Sequence, residues 1–363
     1  MLLDLHLTDA CNLRCKYCYF ANKSKKEAGL DLIQKTLEYF LNLEQNDKTL
    51  YCTFIGGEPT LRFDRIIDGV EFGKKLARKS NKKIFFNLVT NGTNLDAKKI
   101  DFLKHNNFYI VLSFDGKKET QDFQRTFPDG KSCFDLAEFS LNQLIKKIPT
   151  FSVRMTVTPA VAGNLYENIK YFFSKGVNLI GIVPTYEDNW PDESLSFFKE
   201  NFKNVIKMWN ENIKKRPQFY ILPFLGYLKS WRNKDFYFRP YMHVCNLNRG
   251  LRYSVSVGGD IYSCHRFTSI GEEEFKLGNV FNGGIEPTSE EEFYGRITKI
   301  RKKIKSPGCI ALNYEVNKNI GRLLPNYQKF KSLFLELLLE IDQDFTYKNF
   351  SEEIKNLYLK SVK

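Results

Sequence analysis

The chain has 363 residues, of which 42% are hydrophobic and 15% aromatic, so it can bury a sizeable core and is no disordered tail. Its 8 Cys are too sparse for a small secreted disulfide scaffold. The net charge of +13 comes largely from Lys scattered through amphipathic stretches such as 74–83 and 299–305, which reads first as solvated helix faces. That charge suits an acidic peptide partner weakly, and no stacking motif or finger spacing points to nucleic acid.

In chain order, the alternating segment 2–8 (LLDLHLT) predicts a first strand, and 51–55 (YCTFI) a second that ends in Gly-Gly-Glu-Pro. Further strands are expected at 84–90, 108–114, 151–157 and 178–184. Helical periodicity fills the intervals, at 30–43, 63–80, 95–105, 134–147 and 165–175. Strands alternating with helices predict an α/β fold with a parallel sheet. Six βα units are too few for a closed eight-fold barrel, so an open, partial (βα)6 TIM-like barrel is expected. Sites in such folds lie on the loops at the carboxyl ends of the strands. The chemically unusual residues fall on those loops: a cysteine loop after the first strand, GGEP after the second, TNG after the third and SFDG at the fourth.

Beyond about residue 190 the rhythm changes. A helix is expected over 193–215, then an aromatic-rich stretch, then a β-hairpin over 252–264 about Gly258-Gly259-Asp260. The last part looks helical. These changes divide the chain into 1–215, 216–325 and a helical tail at 326–363. The N-terminal MLLDLHLTDAC lacks the charged start and apolar run of a secretory signal, and no segment approaches the ~18 apolar residues of a membrane span. A soluble, cytoplasmic, reduced-thiol protein is expected.

Cys11, Cys15 and Cys18 have the spacing C-x3-C-x2-C. Thiolates are soft ligands for zinc or iron–sulfur clusters. Three on one loop can each hold one iron of a cubane and leave the fourth iron open to substrate or cofactor. A three-cysteine zinc site, a redox pair at Cys15 and Cys18, and chance are the alternatives.

The segment CNLRCKYCYF resembles the cluster loop of the radical S-adenosylmethionine (SAM) enzymes. The resemblance implies that Cys11, Cys15 and Cys18 ligate a [4Fe–4S] cluster whose fourth iron is chelated by SAM. Reductive cleavage of SAM then yields a 5′-deoxyadenosyl radical that abstracts a substrate hydrogen. Tyr17 would pack on the adenine. Gly56, Gly57, Glu58 and Pro59 resemble the family's GGEP turn, which receives the SAM amino group. Glycines that let a backbone approach a ligand and a proline that stiffens the turn make physical sense of that motif. TNG at 90–92 matches a third-strand turn with a mainly structural role. Ser113, Asp115 and Arg125 match the S-x-D-G…D-x-x-R pattern of a subset that includes sulfatase-maturing and peptide-modifying enzymes. There the serine meets the SAM ribose, and the arginine reaches SAM or orders the pocket. A surface salt bridge is the plain alternative for Arg125, and a turn cap for Asp115.

Cys245 and Cys264, with the hairpin between them and Leu-Gly-Asn-Val at 277–280, resemble the start of a SPASM or twitch module, which carries auxiliary iron–sulfur clusters. A full SPASM domain has seven cysteines, whereas only Cys309 follows Cys264 here. The pattern leaves room for one auxiliary cluster on Cys245, Cys264 and Cys309, or for a degenerate module that binds nothing. His243 and His265 are candidate extra ligands. Cys52 and Cys133 read as buried small residues. Sulfatase-maturing relatives place a basic Asp after the Cys aligned with Cys264; this chain has His265 there.

The expected activity is therefore hydrogen abstraction from a peptide or protein, with flavodoxin or ferredoxin as electron donor. With ten residues before Cys11, a peptide-recognition domain is not expected there, and recognition is expected to use another surface or protein. Formylglycine formation in the manner of anaerobic sulfatase maturation is one alternative, and a small-molecule radical SAM dehydrogenase another. A non-enzymatic iron–sulfur or zinc regulator would leave GGEP and SFDG unexplained. His265, Glu187 and Asp188 are candidates by position for the catalytic acid or base.

Overall fold

The computed structural model describes residues 1–20, 23–43, 49–212, 215–216, 218–222, 247, 251–304 and 308–342. Cys245 and His243 lie outside the described residues.

Six parallel strands form where the sequence places them: β1 (Leu2–Thr8), β2 (Thr49–Gly56), β3 (Lys83–Thr90), β4 (Tyr109–Ser113), β5 (Phe151–Val157) and β6 (Leu179–Pro184). Between them run α1 (Leu30–Asn42), α2 (Phe63–Lys79), α3 (Ala97–His105), a short α4 (Lys118–Gln124), α5 (Phe134–Lys147) and α6 (Leu165–Lys175), followed by α7 (Asp192–Asn212). The period-2 alternation sorts the strands. In β1, Leu3, Leu5 and Leu7 are fully buried on one face, while Asp4, His6 and Thr8 are buried on the other, where Asp4 meets Arg252 and His265. Helices answer with one apolar stripe each: α1 buries Leu32, Ile33, Leu37, Phe40 and Leu41 at helical spacing. Each fully buried Leu or Phe contributes about 1.5–3 kcal/mol relative to exposure.

The parallel run is longer than six. β7 (Tyr220–Leu222) pairs parallel with β6, and β8 (Arg252–Val255) pairs parallel with β1. The order β7-β6-β5-β4-β3-β2-β1-β8 is thus eight parallel strands in an open sheet. β8 continues into the predicted hairpin with β9 (Asp260–Tyr262), and β10 (Gly278–Asn279) and β11 (Gly284–Ile285) extend it antiparallel. The hairpin is therefore continuous with the barrel sheet, because Arg252 to Val255 find their partners on Leu2 to Leu5. A long-range pairing of this kind leaves no mark in local periodicity.

Among the described residues the remaining α-helices are α8 (His265–Ile270), α9 (Pro287–Lys303), α10 (Ile310–Asn317) and α11 (Pro325–Asp342). α11 packs on α7: Phe330 and Phe334 meet Phe198 edge-on, with ring centroids 5.1 and 6.1 Å away. Asn326 at its start donates to the carbonyls of Tyr186 and Asp188 and so ties the helix to the loop after β6. Among the described residues no helix is long and apolar enough to cross a membrane.

Candidate active site

A cavity of about 450 Å³ opens at the carboxyl end of the strands. One side is lined by Cys11, Cys15, Tyr17, Cys18, Gly56, Gly57, Glu58, Ser113 and Arg125. Glu187 of the loop after β6 and Arg252, Cys264, His265, Arg266 and Cys309 of the C-terminal part complete the lining.

The cysteine loop leaves β1 and is fastened on both flanks. Gly57 N–H donates to the Thr8 carbonyl and Glu58 N–H to that of Ala10, both at 2.8 Å. On the other flank, Arg14 and Lys16 N–H donate to the carbonyls of Thr126 and Gln124 at 2.8 and 2.9 Å. The approach at Gly57 is closer than any side chain allows: a Cβ there would lie 2.2 Å from the Ala10 carbonyl oxygen. Polar hydrogens already face the sulfurs. Leu13 N–H stands 3.4 Å from Cys11 Sγ, Asn91 Nδ2 4.0 Å from the same sulfur, and Arg125 Nη1 3.9 Å from Cys15 Sγ. Burial pushes the Cys11 thiol up to about 11, with the Glu58 carboxylate adding to it, and burial raises Cys15 as well. A bound cation reverses that tendency by stabilising the thiolate.

Glu58 is fully committed to the protein. Its Oε1 accepts from Thr60 N–H (3.1 Å), Thr60 Oγ1 (2.6 Å) and Thr90 Oγ1 (2.7 Å), and its Oε2 from Asn91 N–H (2.7 Å). It locks the GGEP turn onto the TNG turn, whose Asn91 in turn donates to Asn12 of the cysteine loop at 3.0 Å. Pro59 opens the short 3-10 turn Pro59–Arg62, buried behind this junction.

Arg125 forms no surface salt bridge. Its Nε donates to Asp115 Oδ2 at 2.8 Å, with Arg125 side chain 7% and Asp115 0% exposed. Asp115 is more than a turn cap: it also accepts from Tyr17 Oη (2.6 Å), Gln124 Nε2 (2.9 Å) and Thr156 N–H (2.9 Å). The Tyr17 ring, expected to face an adenine, lies 5.1 Å from the Arg125 guanidinium while still lining the cavity. The Asp115 anchor is the part of the site that sequence reasoning undervalued. Its signal was present in the D-G and D-x-x-R spacing, but the partners come from three other segments.

In the C-terminal part of the lining, His265 Nδ1 stands 3.2 Å from Asp4 Oδ2, and Arg252 donates to the same oxygen at 2.6 Å. Burial raises the Asp4 carboxyl, but Arg252 and His265 outweigh that and hold it well below the usual range. Arg266 pairs with Glu315 and, at 3.4 Å, with Glu187. Asp188 turns its carboxylate to Thr185 Oγ1 at 2.6 Å, as a turn-closing residue does. Cys264 and Cys309 face the same space, and Cys264 is pushed up to about 11 by burial and by its neighbour Cys309. Cys52 is fully buried in β2, and Cys133 Sγ–H donates to the Arg125 carbonyl at 3.2 Å, beneath the ion pair.

Residues 5–197 match the family model described as Radical SAM superfamily. The chain belongs to the radical SAM superfamily. It is 27% identical over 302 residues to the cysteine-type anaerobic sulfatase-maturating enzyme of Clostridium perfringens, covering 77% of each chain. Its fold matches the solved structure "Native anSMEcpe with bound AdoMet and Kp18Cys peptide" with a TM-score of 0.77 and 23% identity, covering 95% of this chain and 100% of that one. It also matches Streptococcus suis SuiB bound to precursor peptide SuiA, with a TM-score of 0.61 and 15% identity, over 89% of this chain and 74% of that one.

Radical SAM enzymes use a [4Fe–4S] cluster and SAM, and the donor set here fits both. Three soft sulfurs share one loop, hydrogen-bond donors face two of them, and the Gly57 edge brings backbone against that loop. Among the described residues no three His, Cys, Asp or Glu side chains gather about a single-ion position. A cubane asks for a different arrangement, with one thiolate at each of three corners.

Proposed function

We propose that this radical SAM enzyme acts on a peptide or protein substrate, with Cys11, Cys15 and Cys18 as ligands of the catalytic cluster. When bound, the reduced cluster and SAM supply a carbon radical that removes a hydrogen atom from the substrate. The chain's own residues set up that event. Glu58 and Asn91 hold the cysteine loop against the second and third βα turns. Gly56 and Gly57 offer backbone to the cofactor, Ser113 its hydroxyl, and Arg125 a guanidinium already oriented by Asp115. Tyr17 closes the cofactor side. Cys264 and Cys309, with Cys245, are the candidate ligands of an auxiliary cluster, and flavodoxin or ferredoxin is the proposed electron donor. In this reading residues 1–215 generate the radical, 216–325 form the SPASM or twitch-like module, and 326–363 are the appended tail.

The observation that carries the reading is one cavity lined from both ends, by the cysteine loop and by Cys264, His265 and Cys309. A substrate in it lies within reach of both faces and away from bulk water. The bound peptides named for anSMEcpe and SuiB support a peptide as occupant. Formylglycine formation on a Cys or Ser is the narrower form of the proposal, supported by the sulfatase-maturating relatives. His265, standing where those relatives are expected to carry an Asp, weighs against it.

The test is anaerobic reconstitution with iron and sulfide, then dithionite, SAM and a Cys- or Ser-containing peptide, read by mass spectrometry. Peptide-dependent product with deuterium transfer from a Cβ-deuterated residue into 5′-deoxyadenosine is expected. SAM cleavage that no peptide accelerates or intercepts, while a small metabolite does, would overturn the peptide reading.

A further inference from the structure

Among the described residues, the Lys and Arg side chains that line the cavity are Lys23, Arg125, Arg154, Arg252 and Arg266. All but one are engaged. Arg125 is paired with Asp115, Arg252 with Asp4, and Arg266 with Glu187 and Glu315, while Lys23 donates to the Leu13 carbonyl. The Arg154 carbonyl accepts from Phe114 N–H, but its guanidinium has no hydrogen-bond or carboxylate partner among the described residues. Arg154 sits in the middle of β5, level with Ser113 on β4 and Gly181 on β6; its neighbours Val153 and Met155 are buried on the other face of the strand, so its side chain enters the lumen. Although protein surrounds it, the side chain is exposed to the cavity. The groups that bear on it electrostatically are Tyr17 and Tyr19 of the cysteine loop and the guanidiniums of Arg125 and Arg266. Confinement and these two like charges make the guanidinium costly to keep there, and no described residue offers it an anion in return.

The position is equally informative. Arg154 lies beside Ser113, on the cofactor side, and faces Arg266 on the C-terminal side. A group between those sides is where the reacting part of a substrate must sit. We propose that Arg154 is a specificity-determining residue that binds a carboxylate of the substrate by its planar fork, so that the preferred peptide carries Glu or Asp next to the reacting residue. This deepens the peptide reading above and rests on it. A guanidinium–carboxylate fork in a confined cavity is among the strongest neutralising contacts available, and it orients as well as binds. The +13 net charge of the chain favours the approach of such a peptide.

The test measures binding to the reconstituted, unreduced protein by fluorescence anisotropy. Two short cysteine-containing peptides that differ only in Glu or Gln beside the Cys are compared, with N-acetylglutamate as a free-carboxylate probe. Wild type is expected to prefer the Glu peptide by roughly tenfold or more, Arg154→Gln to erase the preference, and Arg154→Lys to restore part of it. If N-acetylglutamate binds wild type but not Arg154→Gln while neither peptide binds, the carboxylate site stands and the peptide reading fails. Equal binding of every anion to wild type and Arg154→Gln would overturn the proposal. So would a fall in SAM affinity as large as the fall in peptide affinity, which would assign Arg154 to the cofactor.

Discussion

The two faces of the cavity are built by different means. On the barrel face, neighbouring βα turns lock each other: Glu58 ties the second turn to the third, Asn91 ties the third to the first, and Asp115 gathers Tyr17, Gln124, Arg125 and Thr156. On the C-terminal face, a single carboxylate at Asp4 joins the first strand to Arg252 and His265, which lie 248 and 261 residues further along the chain. The first arrangement is redundant and deeply buried. In the second, the carboxylate junction is partly open, and its arginine keeps 28% of its side chain exposed. The faces should therefore respond differently to damage.

The largest difference is expected in metal content. Cys15→Ala should abolish SAM cleavage and remove about four irons per chain, as loss of one [4Fe–4S] cluster requires, whereas Cys52→Ala should keep both iron and cleavage. Cys264→Ala should leave the SAM-site cluster in place. If elemental analysis shows the same loss for Cys264→Ala as for Cys15→Ala, the two faces are not independent.

Next in size is the anchor carboxylates. Asp115→Asn strips a buried arginine of its partner and should cost about 3–5 kcal/mol in chemical denaturation. Asp4→Asn should cost less, on the order of 1–3 kcal/mol, because water can reach Arg252. The reverse order would break the comparison.

Gly57→Ala drives a Cβ to 2.2 Å from the Ala10 carbonyl oxygen and 2.5 Å from that of Asp9. An overpacking cost of about 1–3 kcal/mol and impaired SAM cleavage should follow. Gly163→Ala, with nothing within 4 Å of its Cβ, should leave thermal unfolding nearly unchanged.

The last effect is graded, a pH slope. His6 is buried between the faces, and burial, with His265 adding to it, pushes it down to about 3. An unfolded histidine takes up its proton near pH 6.5, so stability should fall as pH drops from about 6.5 towards the folded value, by up to about 1.4 kcal/mol per unit. His6→Leu should flatten that slope; an unchanged slope in denaturation from pH 7 to pH 5 would show that His6 does not titrate as its burial requires.

The same contrast explains what could be read from the sequence. Strand β1 at 2–8 and helices α5 and α6 follow from local periodicity, since hydrophobic alternation and helical stripes are short-range signals. The cysteine loop, GGEP and SFDG announce the barrel face because each motif is contiguous. The role of Asp115, the parallel pairing of Arg252–Val255 with β1 and the isolated Arg154 were not legible. Each depends on which distant residue arrives beside it, and only the assembled sheet settles that. Cys245 was legible as a candidate ligand, but it falls outside the described residues.

The most direct test of the account is 5′-deoxyadenosine formation by the anaerobically reconstituted protein with dithionite and SAM. Wild type should produce it and Cys15→Ala should not. Absence of 5′-deoxyadenosine from wild type with its cluster spectroscopically intact would contradict the account.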